Sequence, residues 1–531
     1  MQRWNGWGHE TTDYPLPEPA REYLAGVVGS GSTVPDARLE QVLSSVPASR
    51  LPEHPLLSLE ASDRLRHACG HSLPDWVALR TGRLPAFPDA VAYARSEEDV
   101  RSAFALCRRL GAALIPYGGG TSVVGHVNPL PDGAPTITLD LSPLRRLLAL
   151  EETNHLATFE AGVRGPDLED QLAVRGYTLG HFPQSFELST LGGWIATRSC
   201  GQQSYYYGRI EDLFCAGHVE TPAGSFDLPP LPASAAGPDL RQLVLGSEGR
   251  MGVITRAQVR VRRRPETETF YGVFFADWAA GAEAVREMAQ SGLPVSMMRL
   301  SDAQETETTL MLAGKPDLTR WADRGLRVAG YRGERSLLIL GLTGDRRRAG
   351  QTLRHAAGMC RRHGGFFPIA MIGRLWQKSR FLSPYLRNTL WERGYALDTV
   401  ETALPWAGAL AAARTIQQTL RDSFAARGRR LLVFTHLSHI YTDGVSVYTT
   451  YLFPRADDPD ETVATWRAAK LAVSLAIVRL GGTISHQHGV GLDHAPFLEA
   501  EKGLAGVAAL RAALQTFDPE GMLNPGKLIQ P

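Results

Sequence analysis

Residues 113–122 read ALIPYGGGTS, a short apolar strand running straight into three consecutive glycines. Upstream lies a helix, DVRSAFALCRRL at 99–110, with Ser96 placed to cap it, Glu97, Glu98 and Asp99 in its first turn and Gly111 at its end. Before it, AVAYA at 90–94 reads as a buried strand. The whole is a strand–helix–strand unit whose second strand delivers the loop Pro116, Tyr117, Gly118, Gly119, Gly120, Thr121 and Ser122. Consecutive glycines admit positive φ and let peptide N–H groups converge on an anion. The loop has no GK[S/T], and Val123 stands where GxGxxG needs its third glycine. Taken alone, it fits a tight turn as well as a phosphate cradle.

Two more segments of this kind follow. The first carries Gln184, Ser185, Ser189 and Thr190, then Gly192, Gly193, Ala196, Thr197, Arg198 and Ser199. The second is GSEGRMGVIT at 246–255, with Glu248, Gly249, Gly252, Val253 and Ile254. Small residues and hydroxyls at this density suit a cofactor held by backbone and Ser/Thr contacts. Further on, HLSHIYTDGVSVY (436–448) and SHQHGVG (485–491) bring together His436, His439, Tyr448, His486 and His488. A lone HxH without a third ligand at a diagnostic spacing is a poor metal signal, so no metal is expected. Imidazoles and a tyrosine are suitable acid/base groups.

The 531 residues predict more than one domain. Basic and acidic residues nearly cancel, 56 against 55, which excludes a general nucleic-acid binder. Five scattered cysteines without a CxxC suggest neither a disulfide framework nor a zinc site. No apolar run approaches the length of a membrane span, and the first residues do not read as a secretory leader.

GGGTS, GGWIATRS and GSEGxxGVIT, in this order and spacing, resemble the FAD-binding domain of the vanillyl-alcohol-oxidase/PCMH-type flavoproteins. RWNGWG (3–8), SFELST (185–190), Val400-Glu401-Thr402 with Pro405-Trp406, and SHQHGVG carry the resemblance to the alkylglycerone-phosphate synthase (alkyldihydroxyacetonephosphate synthase) family. The fold it implies is α+β, a PCMH-type FAD-binding domain of two subdomains with an α+β cap. The expected division is a helical lead-in over 1–80, the FAD domain over 81–265, the cap over 266–480, and a segment over 481–531 completing the site. FAD is expected noncovalently, since the loop has no histidine within it, although His126 lies close by.

The implied reaction replaces the acyl group of acyl-dihydroxyacetone phosphate by a fatty alcohol through a flavin N5 adduct, without net redox. Carried over by position, Tyr448 manages substrate protons, and His486 and His488 activate the alcohol. Arg299 positions substrate and flavin, with a structural ion pair as an even alternative. The chain departs from the family twice. Gln487 stands where animal enzymes have a middle histidine, and His436 where they have an arginine for the substrate phosphate. An FAD-dependent oxidase or dehydrogenase of a 2-hydroxy acid or specialised metabolite is the alternative. A homodimer, a lipid-like substrate, and a bacterial cytoplasmic setting with transient membrane contact complete the expectation. The basic, aromatic stretch 376–387 reads as an exposed cap helix, or alternatively as a gate or membrane contact.

Overall fold

The computed structural model describes residues 2–312, 331, 333–366 and 368–530, so small parts of the expected 1–80, 266–480 and 481–531 segments lie outside the described residues. Its first sheet has the strand order Leu57–Ser58, Ala90–Tyr93, Thr136–Asp140, Ala113–Tyr117, and the last three strands run parallel. The crossover helix Glu97–Leu110 is capped as its sequence dictates: Ser96 Oγ accepts from Asp99 N at 3.2 Å, and Gly111 closes it at φ 60°. Leu523 bridges to Leu114, so the C-terminal residues extend this sheet beside the strand that delivers the glycine loop.

A second, antiparallel sheet runs Leu147–Glu151, Leu156–Glu160, Val253–Arg260, Phe214–Thr221, Gly224–Leu228. It buries its own core of Phe159, Phe214, Trp194 and neighbours. The third sheet is antiparallel and six-stranded, in the order Thr267–Phe275, Ser336–Gly344, Met297–Ser301, Leu432–Ile440, Gly444–Pro454, Tyr395–Pro405. Helices Trp278–Gln290, Arg346–Arg362 and Trp406–Ala425 share its core. Two antiparallel sheets built largely of consecutive strands, with helices packed against them, make the α+β arrangement expected.

The lead-in is helical, with Glu18–Val28, Leu39–Ser45, Ala61–Arg66 and Leu73–Thr81. It is tied to the third sheet's periphery: Trp7 N and Arg80 Nη2 both donate to Asn388 Oδ1. The 376–387 stretch is two helices, Ala370–Ser379 and Ser383–Glu392, rather than one exposed helix. Between them the Arg380 guanidinium lies over the rings of Phe182, Phe270 and Phe381, and Phe381 stacks on Phe186 at 5.2 Å. The aromatic content that suggested a surface role is spent on internal packing. No helix among the described residues is long and apolar enough to cross a membrane.

Candidate active site

The glycine loop sits at the C-terminal end of the parallel strand Ala113–Tyr117, where open α/β sheets place ligands. It is pressed against residues 188–190. A Cβ on Gly118 would stand 2.3 Å from Thr190 Oγ1, one on Gly119 1.9 Å from the Leu188 carbonyl, and Gly120 has φ +65°. Among the described residues, the peptide N–H groups from Gly118 to Ser122 donate to no protein acceptor. A side-chain-free backbone with convergent free donors fits a pyrophosphate. Gly119→Ala is accordingly expected to lower FAD affinity about tenfold or more, because overpacking costs about 1–3 kcal/mol. FAD per chain after purification measures it, and wild-type content would refute it.

All three glycine segments frame one cavity of about 310 Å³. Every residue expected at the cofactor lines it, from Pro116 through Ser122, Gln184, Ser185, Ser189, Thr190, Gly192, Gly193, Ala196, Thr197, Ser199, Glu248, Gly249, Gly252, Val253 and Ile254, except one. The exception is Arg198. It ends helix Leu191–Thr197 in the left-handed region at φ 52°, so its guanidinium turns away to Leu245 O and Gln242 Oε1. His126 reaches the cavity with Nδ1 hydrogen-bonded to Ser122 Oγ at 2.9 Å, while Nε2, 3.1 Å from Glu248, has no hydrogen-bond partner among the described residues.

Three strands of the third sheet aim the polar side chains. Tyr448 is directly opposite His436 on one neighbouring strand and Glu401 on the other, and opposed residues share a face. Tyr448 lines the cavity, its Oη 3.5 Å from His488 Nε2. Burial pushes its phenol above the usual range, so it is un-ionised at working pH. Glu401, almost fully buried, accepts from the peptide N–H of Gln487 and of His488, both at 2.7 Å, and from Ser485 Oγ. Its Oε1 also lies 3.6 Å from His488 Nδ1, on the other side of the ring from the Nε2 that faces Tyr448. Burial holds His488 below its ordinary value, Glu401 working against it.

The other expected residues stand behind this wall. His436 stacks on Tyr448 at 4.9 Å, with Nδ1 3.0 Å from Glu305 and 3.1 Å from Arg299 Nη2. Arg299 is committed to Glu305 at 2.6 Å. Burial alone would raise the Glu305 carboxyl, but Arg299 and His436 hold it at about 2. His486 Nε2 lies 2.7 Å from Arg209 Nη1 and 2.6 Å from Tyr441 Oη. A guanidinium can only donate, so that nitrogen is an acceptor already in use. Neither His436, Arg299 nor His486 lines the cavity.

Two family models match the chain, an FAD binding domain over residues 88–226 and the C-terminal domain of FAD linked oxidases over 264–528. An alkyldihydroxyacetonephosphate synthase from Dictyostelium discoideum is 30% identical, over 88% of this chain and 77% of that protein. The chain belongs to the alkyldihydroxyacetonephosphate synthase family. The synthase of Caenorhabditis elegans is 27% identical over 99% of this chain and 95% of its own length. A solved alkyldihydroxyacetonephosphate synthase superposes with a TM-score of 0.84 at 25% identity, covering 99% of both chains. p-Cresol methylhydroxylase, at 14% identity with TM-score 0.68 over 90% of this chain and 94% of that one, shares the fold. As a member of this synthase family, the chain is an FAD-dependent enzyme of PCMH-type fold that binds FAD noncovalently.

Within this family fold, several cavity residues were not singled out as site residues by the sequence. Trp7 and His71 come from the lead-in and Arg387 from helix Ser383–Glu392. Asn524 is part of an NPGKL ending; its Nδ2 donates to His126 O and Glu248 O, fastening the C-terminus under the loop. Glu248 in turn accepts from Val490 and Gly491 N–H, so the SHQHGVG loop is held by one buried carboxylate at each end.

Proposed function

We propose that this chain exchanges the acyl group of acyl-dihydroxyacetone phosphate for a fatty alcohol, the step that makes an ether-lipid precursor. The observation that carries the reading is Tyr448 meeting His488 at 3.5 Å inside the cavity framed by the glycine segments. FAD, when bound, supplies the electron-deficient ring on which such an exchange turns. The protein's share is proton management and positioning. Tyr448, un-ionised, holds a proton it can give on the substrate carbon side, and His488 Nε2 stands beside it as its partner in proton exchange. Gln487 cannot exchange a proton near neutral pH, so one imidazole carries this duty. His436, His486 and Arg299 act by positioning: the first backs the Tyr448 ring, the second packs with Arg209 behind the loop, and the third fixes Glu305.

The same proposal includes the division 1–80, 81–265, 266–480 and 481–531, supported by separate cores for the second and third sheets. It includes a cytoplasmic homodimer touching membrane transiently; the membrane contact is supported by the exposed Met371 and Leu375 one turn apart beside Arg374 and Lys378.

An anaerobic absorbance titration of the FAD-loaded protein with acyl-dihydroxyacetone phosphate, followed by fatty alcohol, tests the reaction. Bleaching, then recovery with ether product, is expected. An unchanged spectrum would refute this substrate. One observation favours the second reading, an oxidoreductase of a 2-hydroxy acid. The family's phosphate-binding arginine is His436 here, turned to Glu305 rather than to the cavity. Lasting bleaching by a hydroxy acid, with a keto acid formed, would support that reading.

A further inference from the structure

Glu401 stands between the two histidines of the SHQHGVG loop and serves them unequally. Its Oε1 is fully used, accepting from the peptide N–H of Gln487 and of His488, both at 2.7 Å, and from Ser485 Oγ at 3.2 Å. Its Oε2 is buried and has no hydrogen-bond partner among the described residues. A bare carboxylate oxygen in the interior is costly and calls for a donor nearby. Among the described residues, the ion-pair contacts of Glu401 are both with imidazoles. Oε2 lies 4.0 Å from His486 Nδ1, and Oε1 lies 3.6 Å from His488 Nδ1.

His486 identifies the donor. Its Nε2 faces Arg209 Nη1 at 2.7 Å, and a guanidinium only donates, so that nitrogen carries no proton. Burial, with His439 and Arg209 beside it, keeps the ring neutral. A neutral imidazole with a bare Nε2 has its proton on Nδ1. Yet Nδ1 is also buried without a partner among the described residues. A bare donor and a bare acceptor thus face each other just beyond hydrogen-bond reach, and a small turn of either side chain joins them. Joined, they complete a line of Arg209, His486, Glu401, His488 and Tyr448. The groups facing His488 come from several elements. Burial disfavours its charged form most, and Glu401 is the largest influence in the other direction, with Asp398 on the same strand behind it. Lys470 from helix Pro459–Arg479 and His126 side with burial.

We propose that Glu401 is a positioning residue for His488: Oε2 takes the Nδ1–H of His486, and the carboxylate so fixed holds the charge His488 acquires on accepting a proton. His486, off the cavity wall, then acts on the chemistry without touching substrate. The inference rests on reading Tyr448 and His488 as the proton-handling pair. The FAD-loaded protein is labelled with ¹⁵N,¹³C-histidine and its ring resonances are followed from pH 5 to 8, with His486→Phe and His488→Gln giving the assignments. His486 is expected in the Nδ1–H form, and His488 is expected to titrate. In Glu401→Gln the His488 midpoint is expected to fall by about one pH unit or more, as for an imidazole that loses a nearby carboxylate. Turnover is expected to fall about tenfold or more with KM held within about twofold, and the acid side of its pH profile to move with the midpoint.

Glutamine keeps an oxygen for the two peptide N–H groups, so a mere loop anchor would leave the His488 midpoint where it is. Glu401→Asp keeps the charge on a side chain one carbon shorter and is expected between the other two. An Nε2–H form of His486, a His488 that stays neutral throughout, or an unmoved midpoint in Glu401→Gln would each overturn the proposal. A shifted midpoint in a protein that makes no ether product would support Glu401 and refute the acyl exchange. Should Glu401→Gln fail to fold, the midpoint in Glu401→Asp decides, and a value equal to wild type overturns the proposal.

Discussion

Replacing Tyr448 by phenylalanine is expected to cut turnover by about 10²- to 10⁴-fold, the range a positioned general acid or base supplies. FAD content and thermal midpoint are expected to stay at wild-type values. The substitution removes only the hydroxyl. The ring keeps its stacking on His436 at 4.9 Å, and the strand keeps its register with Glu401 and His436. Because the phenol stays un-ionised, the pH dependence of wild-type turnover reports His488 instead. That group lies below its ordinary 6.5, so turnover should hold steady above this value and decline only on its acid side. Single-turnover kinetics and flavin absorbance check both parts. Turnover within threefold of wild type would remove Tyr448 from the chemistry, and lost FAD would make it a structural residue.

The glycine segments were legible because their packing excludes every other residue. Gly119 has a backbone carbonyl where its Cβ would be, and a sequence can show such a constraint only as glycine. The helix Glu97–Leu110 was legible for the same kind of local reason, its cap and its end both being encoded within one turn. Arg198 looks in the sequence like one more polar member of a cofactor segment, while its left-handed backbone, set by the end of a seven-residue helix, aims it at Leu245 and Gln242. His436 and His486 stand off the cavity wall for a different reason. Whether an imidazole faces a cavity depends on partners far along the chain, Glu305 for one and Arg209 for the other. Nothing in HLSHIY or SHQHGVG names those partners. Arg387 was the hardest to see, since the stretch around it has the ordinary pattern of a surface helix and only the third sheet and the lead-in together bury it. Glu401 lay in a quoted motif, yet its meaning came from a strand register that sets it across from Tyr448.

Stability is expected to fall by on the order of 3 kcal/mol between pH 7 and pH 5. Burial holds His71, His181 and His439 at about 3, against an ordinary 6.5, with Arg387 adding to it for His71 and Arg209 for the other two. Between those limits the unfolded chain binds protons that the folded chain refuses. Stability is therefore greatest above 6.5 and is lost as the pH falls, by about 1 kcal/mol per unit for each histidine. His486 and His494, also held well below the ordinary value by burial, act in the same direction. Acids raised by burial oppose them, Asp75, Glu169 and Asp518 among them. Burial raises Asp302 and Asp493 from 3.8 to about 6, so the fold gains from their protonation over that narrower window. The histidines begin to act at higher pH, and the net effect is a loss. Thermal midpoints of the FAD-loaded protein at pH 7.5, 6 and 5, at fixed FAD, check the sign. In His181→Phe, where the new ring keeps the packing on Trp194 at 4.8 Å, the fall should be shallower by about one histidine's share. A midpoint that is flat or rises toward pH 5 would mean that these imidazoles reach solvent and take up protons without cost, and the buried polar layer behind the cavity would then have to be wet.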